Sequence, residues 1–175
     1  MARVLIVGGG CRGRRLAAWL VEGGHAVRIT TREEAGRAAI ESTGAECLIG
    51  TPDRLASMRG ALEGVTIACW MLGTARGDRV QVEALHGSRV ESFLGQAIDS
   101  TMRGFVYEAA GPTVGEGIRV EAERIVRTVA ERNAIPVAIL RADIADPEIW
   151  QAEAQATVEM LLGRREDRGG ALSLN

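Results

Sequence analysis

Three glycines near the N-terminus, Gly8, Gly10 and Gly13, have the spacing G-x-G-x-x-G. In a turn between a strand and a helix, the first glycine permits a tight bend, the second leaves room for a pyrophosphate, and the third lets the helix pack closely. A diphosphate bound there would face free main-chain N–H groups and the positive end of the helix dipole. The spacing therefore predicts a dinucleotide-binding turn, which also contains Cys11 and Arg12.

The sequence on either side of the glycines has the pattern that such a turn requires. Residues 4–7 are an apolar run typical of a buried parallel strand, and residues 14–21 have helical periodicity. A second apolar strand, 26–30, follows Gly23 and Gly24, which are typical of a helix end. This context favours dinucleotide binding, and a glycine-rich turn without a ligand is the alternative.

The end of the second predicted strand indicates which dinucleotide is preferred. Sites for NAD usually carry a carboxylate there, which binds the ribose hydroxyls, whereas this chain reads Thr-Thr-Arg. The hydroxyl of Thr31 and the guanidinium of Arg32 suit a 2′-phosphate, and Arg12 adds charge from the turn. We therefore expect NADP rather than NAD. In the alternative, Arg32 lies at a solvated strand end and pairs with Glu33 or Glu34.

Composition restricts the class of protein. A chain of 175 residues with 46% hydrophobic and 25% charged residues is typical of one globular domain. The formal charge of −2 and the pI of about 5.8 give no basic surface for nucleic acid or an anionic membrane. All basic residues are arginine, and two histidines, His25 and His86, are too few for a metal cluster, so we expect no metal.

The cysteines indicate a reducing compartment. Cys47 and Cys69 lie in predicted apolar strands, where we expect them to be buried, and no C-x-x-C pair occurs. Together with the lack of a signal-peptide pattern or an apolar run long enough to cross a membrane, this predicts a cytoplasmic protein. Cys11 lies at a predicted helix N-terminus, so it is either a reactive thiol or simply a small side chain that fits.

The rest of the chain alternates between strands and helices. Further strands are predicted at 46–50, 65–72, 104–110 and 135–141, and helices at 32–43, 54–62, 78–102, 121–133 and 147–162. This alternation predicts an α/β fold: a doubly wound, mostly parallel six-stranded sheet with helices on both faces, the Rossmann fold, as a single domain over residues 1–175. Gly163 is expected to end the last helix and the tail beyond it to fray.

The helix predicted at 78–102 carries an apolar face for packing on the sheet, and a homodimer contact is a possible additional role of the same helix. His86, within it, is expected to be solvated or to cap. Ligands are expected at the carboxyl ends of the strands, where a glycine-rich loop follows the fifth strand at 111–117.

Taken together, the glycine turn 8–13, the pair Thr31-Arg32, the loop 50–53 and the segment 139–143 resemble an atypical short-chain dehydrogenase/reductase of the NAD-dependent-epimerase-like or NAD(P)H-binding type. The resemblance implies an NADP-dependent oxidoreductase acting on a small molecule. It also implies further cofactor contacts, in chain order Thr51, Pro52, Asp53, Leu72, Gly73, Thr74, Glu108 and Ala109. Thr51 stands where members often carry Asp, and Asp53 is the substitute.

The chain departs from these enzymes in its catalytic residues. Active members usually use Tyr-x-x-x-Lys, but this chain has one tyrosine, Tyr107, inside a predicted strand, and no lysine. We therefore assign no catalytic residue. Glu108 and Glu116 are candidate acids, with a solvated or capping carboxylate as the alternative for each. Two functions stay open: an NADP-preferring oxidoreductase, and a non-catalytic NADP(H)-binding redox sensor or regulatory module.

Overall fold

The computed structural model describes residues 1–58, 60–112 and 114–170, with side chains described as far as residue 163. Its centre is one sheet of six strands: β1 (Arg3–Val7), β2 (Ala26–Thr31), β3 (Glu46–Ile49), β4 (Ile67–Trp70), β5 (Gly104–Glu108) and β6 (Val137–Leu140). Their order is β3-β2-β1-β4-β5-β6, and every neighbouring pair is parallel. The predicted Rossmann fold is confirmed, and its order reverses between β1 and β4, where doubly wound sheets bind ligands.

In the part of the chain that the structure describes, six helices cover the two faces of the sheet. They are α1 (Cys11–Glu22), α2 (Arg37–Glu41), α3 (Arg79–His86), α4 (Ser88–Gln96), α5 (Glu116–Arg132) and α6 (Pro147–Gly170). Along β1, Val4 and Ile6 join the core beneath α1 and α6, whereas Leu5 and Val7 join the core beneath α4 and α5. β1 is therefore buried on both faces, which explains its continuous apolar run in the sequence.

The single helix predicted at 78–102 is wrong, because the chain breaks at Gly87 into α3 and α4. Gly87 has φ −120° and ψ −103°, which is not helical, and a 3₁₀ turn at Ala97–Asp99 follows α4. Glycine has a low helix propensity, so the bend costs little at this residue. The break lets the two helices bury separate apolar faces, which include Leu85 on α3 and Phe93 on α4.

The predicted end of the last helix is also wrong, since α6 continues past Gly163 to Gly170. A glycine ends a helix by adopting a left-handed conformation, and Gly163 has no positive φ. The part of the predicted frayed tail that falls on residues 171–175 lies outside the described residues. The helix predicted at 32–43 is shorter, since a 3₁₀ turn at Glu34–Gly36 precedes α2. The helix predicted at 54–62 is wrong, because the described residues of this segment form a 3₁₀ turn at Leu55–Met58 and no α-helix.

Cys69 is buried, as predicted, while Cys47 is partly exposed because β3 lies at the edge of the sheet. Within the described residues, no helix is both long and apolar enough to cross a membrane. The same part of the chain contains no group of three or more His, Cys, Asp or Glu placed to hold a metal ion.

Candidate functional site

A cleft of about 450 Å³ lies at the carboxyl ends of the central strands, where the strand order reverses. Most of the predicted cofactor-binding residues line it: Gly8, Gly10, Cys11, Arg12, Gly13, Thr31, Arg32, Thr51, Pro52, Asp53, Leu72, Thr74 and Glu108. The other two, Gly73 and Ala109, are buried behind the wall of the cleft. Residues that are 100 positions apart in the sequence therefore share one concave surface.

The three glycines have the geometry that their spacing predicts. Gly8 has φ +122°, and a Cβ there would lie 2.4 Å from the carbonyl oxygen of Met71. A Cβ on Gly13 would lie 2.4 Å from the carbonyl oxygen of Gly8, so only glycine permits the close approach of α1. A Cβ on Gly10 would meet nothing within 4 Å, which leaves open space above the turn.

The N-terminus of α1 is open towards this space. Gly10 is its N-cap, no side chain caps it, and the first turn contains no acidic residue. By contrast, α3 begins with a capping box formed by Asp78 and Gln81. The first turn of a helix leaves main-chain N–H groups without intrahelical partners, and these coincide with the positive end of the dipole. The turn therefore fits the diphosphate of a dinucleotide.

One end of the cleft is formed by Thr31 and Arg32, and we call it the β2 end. The positive charge of Arg32 is not neutralised there. Arg32 is exposed and has no ion-pair partner among the described residues. Glu34 instead pairs with Arg37, through both carboxylate oxygens. Arg32 therefore does not pair with Glu34 in the way that the alternative interpretation requires, and its guanidinium is available to an anion.

The loop after β3 contributes polar groups to the same end. The hydroxyl of Thr51 lies 3.4 Å from Oδ2 of Asp53, and the main-chain N–H of Thr51 donates to Oγ of Ser57 at 2.9 Å. The other carboxylate oxygen of Asp53 lies 3.9 Å from Nε of Arg89. Asp53 is itself exposed, so its carboxylate can accept hydrogen bonds from a ligand.

At the opposite end of the cleft, formed by Thr74 and Glu108 and called here the β5 end, a carboxylate is buried. The side chain of Glu108 is 0% exposed. Its Oε2 accepts from the main-chain N–H of Gly73 at 2.7 Å, and its Oε1 accepts from Nε1 of Trp150 at 2.8 Å and Nη2 of Arg12 at 3.2 Å. Burial raises the pKa of Glu108, while the three N–H donors oppose that rise. The alternative interpretation of Glu108 as a solvated or capping carboxylate is therefore wrong.

Arg12 connects the glycine turn to the β5 end. Its Nη2 also donates to the hydroxyl of Thr74 at 3.3 Å, and its guanidinium lies 5.2 Å from the centre of the Trp150 ring. The side chain is 21% exposed. The charge that we expected to face a phosphate is thus held by Glu108 in this structure.

The single tyrosine lies on the other face of the sheet. Because side chains alternate along a strand, Tyr107 points away from Glu108, and its hydroxyl lies 2.7 Å from Nδ1 of His86. His86 is 1% exposed, so the prediction that it is solvated or capping is wrong: it lies on the buried face of α3. Burial lowers the pKa of His86 to about 4. The other candidate acid, Glu116, is exposed and does not line the cleft.

Sequence reasoning missed several residues of the cleft: Val7, Gly9, Thr30, Met71, Ala75, Arg76 and Leu85. Gly9 and Thr30 adjoin predicted residues, and Oγ1 of Thr30 accepts from the main-chain N–H of Gly8 at 3.3 Å. The sequence position of Arg76, just after the loop Gly73-Thr74, could have predicted that it lines the cleft. No sequence pattern could have predicted Trp150, because only the packing of α6 brings it to Glu108.

Comparison with solved structures identifies the same fold in several enzymes. Vestitone reductase from alfalfa matches with a TM-score of 0.61 at 19% identity, over 81% of this chain and 56% of that one. UDP-glucuronic acid 4-epimerase from Bacillus cereus, in complex with NAD, gives 0.66 at 11%, over 81% and 56%. Triphenylmethane reductase from Citrobacter, complexed with NADP(H), gives 0.60 at 17%, over 79% and 49%.

The chain spans about half the length of these enzymes. No protein-family model matches the sequence, and no curated protein does. Identities of this size establish the fold alone, and they confirm the architecture that the family resemblance implied. The chain has the Rossmann fold of NAD(P)-dependent reductases and epimerases.

Proposed function

We propose that this chain binds a nicotinamide dinucleotide in the cleft, prefers NADP to NAD, and acts as an oxidoreductase. The observation that carries the proposal is the uncapped N-terminus of α1, which opens onto the cleft behind Gly10. The nature of the ligand is supported by two enzymes of the same fold, one complexed with NADP(H) and the other with NAD.

The charges at the β2 end support the preference for NADP. Arg32 has no ion-pair partner among the described residues, and the chain carries no carboxylate at the end of β2. A planar guanidinium binds a phosphate group through two parallel hydrogen bonds. Arg32 would thus hold the 2′-phosphate, with Thr31 beside it.

When bound, the dinucleotide supplies hydride chemistry. The chain would hold the diphosphate on the first turn of α1, and the nicotinamide half would lie at the β5 end, where Thr74 and Glu108 line the cleft. Leu72 and Leu85 line the cleft with apolar side chains. We propose that the substrate is a small molecule, as the family resemblance implies.

Calorimetric titration of the protein with NADPH and with NADH tests the proposal. We expect NADPH to bind at least about tenfold more tightly, equivalent to about 1.4 kcal/mol. Equal affinities would reject the preference for NADP. A lack of heat with both dinucleotides, confirmed by an independent binding assay, would reject the function itself.

A second function, a non-catalytic NADP(H) sensor, is favoured by a specific observation. The only tyrosine is sealed in the core against His86, and the carboxylate at the β5 end already accepts three hydrogen bonds. Turnover separates the two functions. An enzyme oxidises NADPH at a rate that depends on the added quinone, aldehyde or sugar nucleotide, whereas a sensor shows no such dependence.

A further inference from the structure

Arg12 and Glu108 join the two halves of the cleft. Arg12 belongs to the glycine turn and Glu108 to the end of β5, 96 positions later, and Nη2 of Arg12 lies 3.2 Å from Oε1 of Glu108. Glu108 lines the cleft, yet its side chain is 0% exposed, so Arg12 and the wall of the cleft separate its carboxylate from solvent. A group that reaches Glu108 from the cleft must therefore pass Arg12.

The guanidinium of Arg12 has unused donors. A single nitrogen, Nη2, makes both of its hydrogen bonds, to Glu108 and to the hydroxyl of Thr74. Its Nε is buried without a hydrogen-bond partner among the described residues. Arg12 also lies within the first turn of α1, where we place the diphosphate. One guanidinium thus stands between two anions, a buried carboxylate and a bound phosphate.

The other neighbours of Glu108 do not carry charge. Gly73, in the loop after β4, offers a main-chain N–H, and Trp150, on α6, offers its indole N–H. Tyr107, adjacent on β5, points to the opposite face, where its phenol contacts the neutral form of His86. Among the described residues, Arg12 is therefore the cation that compensates the charge of Glu108.

We propose that Glu108 is the proton-exchanging group of this site, and that the phosphates of a bound dinucleotide draw Arg12 away from it, so that Glu108 takes up a proton when the dinucleotide binds. This inference rests on the proposed function. It assigns to Arg12 a positioning role, and to Glu108 the role left open by the absence of Tyr-x-x-x-Lys.

The physical reason is the cost of burying an uncompensated charge. Arginine forms strong paired hydrogen bonds with phosphate, so Arg12 gains a partner when the diphosphate arrives. Glu108 then keeps two neutral donors but loses its cation. A buried carboxyl group without a cation favours its neutral form, and burial already raises the pKa of Glu108 while Arg12 lowers it.

The protonated side chain would serve the reduction of a carbonyl compound. The reduced dinucleotide would supply hydride to the carbonyl carbon and would itself be oxidised. Glu108 would give its proton to the carbonyl oxygen, which takes the electron pair of the C=O π bond, so that the O–H bond of an alcohol forms and Glu108 is left as a carboxylate. Arg12 would pair with Glu108 again after release of the dinucleotide.

The test is the number of protons taken up when NADPH binds, measured by calorimetry in buffers with different heats of ionisation between about pH 5.5 and 8. The 2′-phosphate itself titrates near about pH 6, so the measured quantity is the difference between wild type and Glu108→Gln. We expect the wild type to take up roughly one proton more than this variant at the optimal pH. Glu116→Gln, which removes an exposed carboxylate outside the cleft, should match the wild type.

A second variant, Arg12→Gln, tests the inference even if Glu108→Gln does not fold. In Arg12→Gln, Glu108 lacks its cation before NADPH binds, so binding removes no cation from it and the extra uptake should disappear while circular dichroism shows a folded protein. The inference is overturned if wild type and folded Glu108→Gln take up the same number of protons, or if Arg12→Gln retains the wild-type uptake. Failure of the proposed function looks different, because NADPH then gives no binding at all to the wild type.

Discussion

The hydroxyl of Tyr107 lies 2.7 Å from Nδ1 of His86, and both side chains are buried between the sheet and α3. Their rings meet edge to face, with centroids 5.8 Å apart. This pair fastens α3 to β5 and removes the only tyrosine of the chain from the cleft. The phenol that a short-chain dehydrogenase would use for proton exchange therefore has a structural role here.

We expect Tyr107→Phe to lower stability without changing dinucleotide affinity. Nδ1 of His86 would lose its hydrogen-bond partner in the core, so the variant should lose about 1–3 kcal/mol of unfolding free energy. Urea denaturation measures the loss, and calorimetric titration with NADPH measures the affinity. A folded variant whose affinity for NADPH drops tenfold would place Tyr107 at the site instead.

The protein should become less stable as pH falls from about 6.5 to about 4, in part because of His86. Its pKa is lowered from 6.5 to about 4 by burial, so the unfolded chain binds a proton that the folded one does not, and unfolding is favoured. The full contribution is present above about pH 6.5, and roughly 3 kcal/mol is lost by about pH 4.

Carboxylates also titrate in this range, so His86→Gln serves as the control. Urea denaturation of both proteins at several pH values should show a steeper loss for the wild type. Parallel curves would mean that the histidine titrates alike in the folded and unfolded states.

Substitution of two glycines of the turn should affect different properties: dinucleotide binding at Gly10 and stability at Gly13. A side chain at Gly10 enters open space, so Gly10→Val should fold normally but lose dinucleotide binding, because the branched group occupies the place of the pyrophosphate. A Cβ at Gly13 would lie 2.4 Å from the carbonyl oxygen of Gly8, so Gly13→Ala should lose at least about 1–3 kcal/mol of stability.

Thermal denaturation and calorimetric titration of both variants provide the measurements. Unchanged NADPH binding by Gly10→Val would show that the ligand does not approach the turn, and would count against the whole site.

Reversal of the charge at Arg32 should separate the two dinucleotides. In Arg32→Glu a carboxylate faces the 2′-phosphate, so affinity for NADPH should fall at least about tenfold, while affinity for NADH changes little. Arg127→Glu is the matched control, because Arg127 is exposed on α5 and does not line the cleft. Equal losses for NADPH and NADH would reject the role of Arg32 in binding the 2′-phosphate.

The sequence alone determined the fold and much of the cleft, because both depend on local patterns. Apolar runs buried on both faces predict parallel strands. Within the turn, a positive φ requires Gly8 and a close approach requires Gly13, while Gly10 leaves open space for a ligand. Parallel strands bring their carboxyl ends to one edge, so loops after β1, β2, β3 and β4 were predictable as neighbours.

Only the tertiary structure decided which polar side chains would be buried and with which partners. The contacts of Glu108 with Arg12 and Trp150 span 96 and 42 positions, and that of Tyr107 with His86 spans 21. A titratable side chain in a strand or helix is solvated or buried according to which element packs over it, and local periodicity does not specify that element. The break at Gly87, the burial of His86 and the raised pKa of Glu108 all follow from this packing.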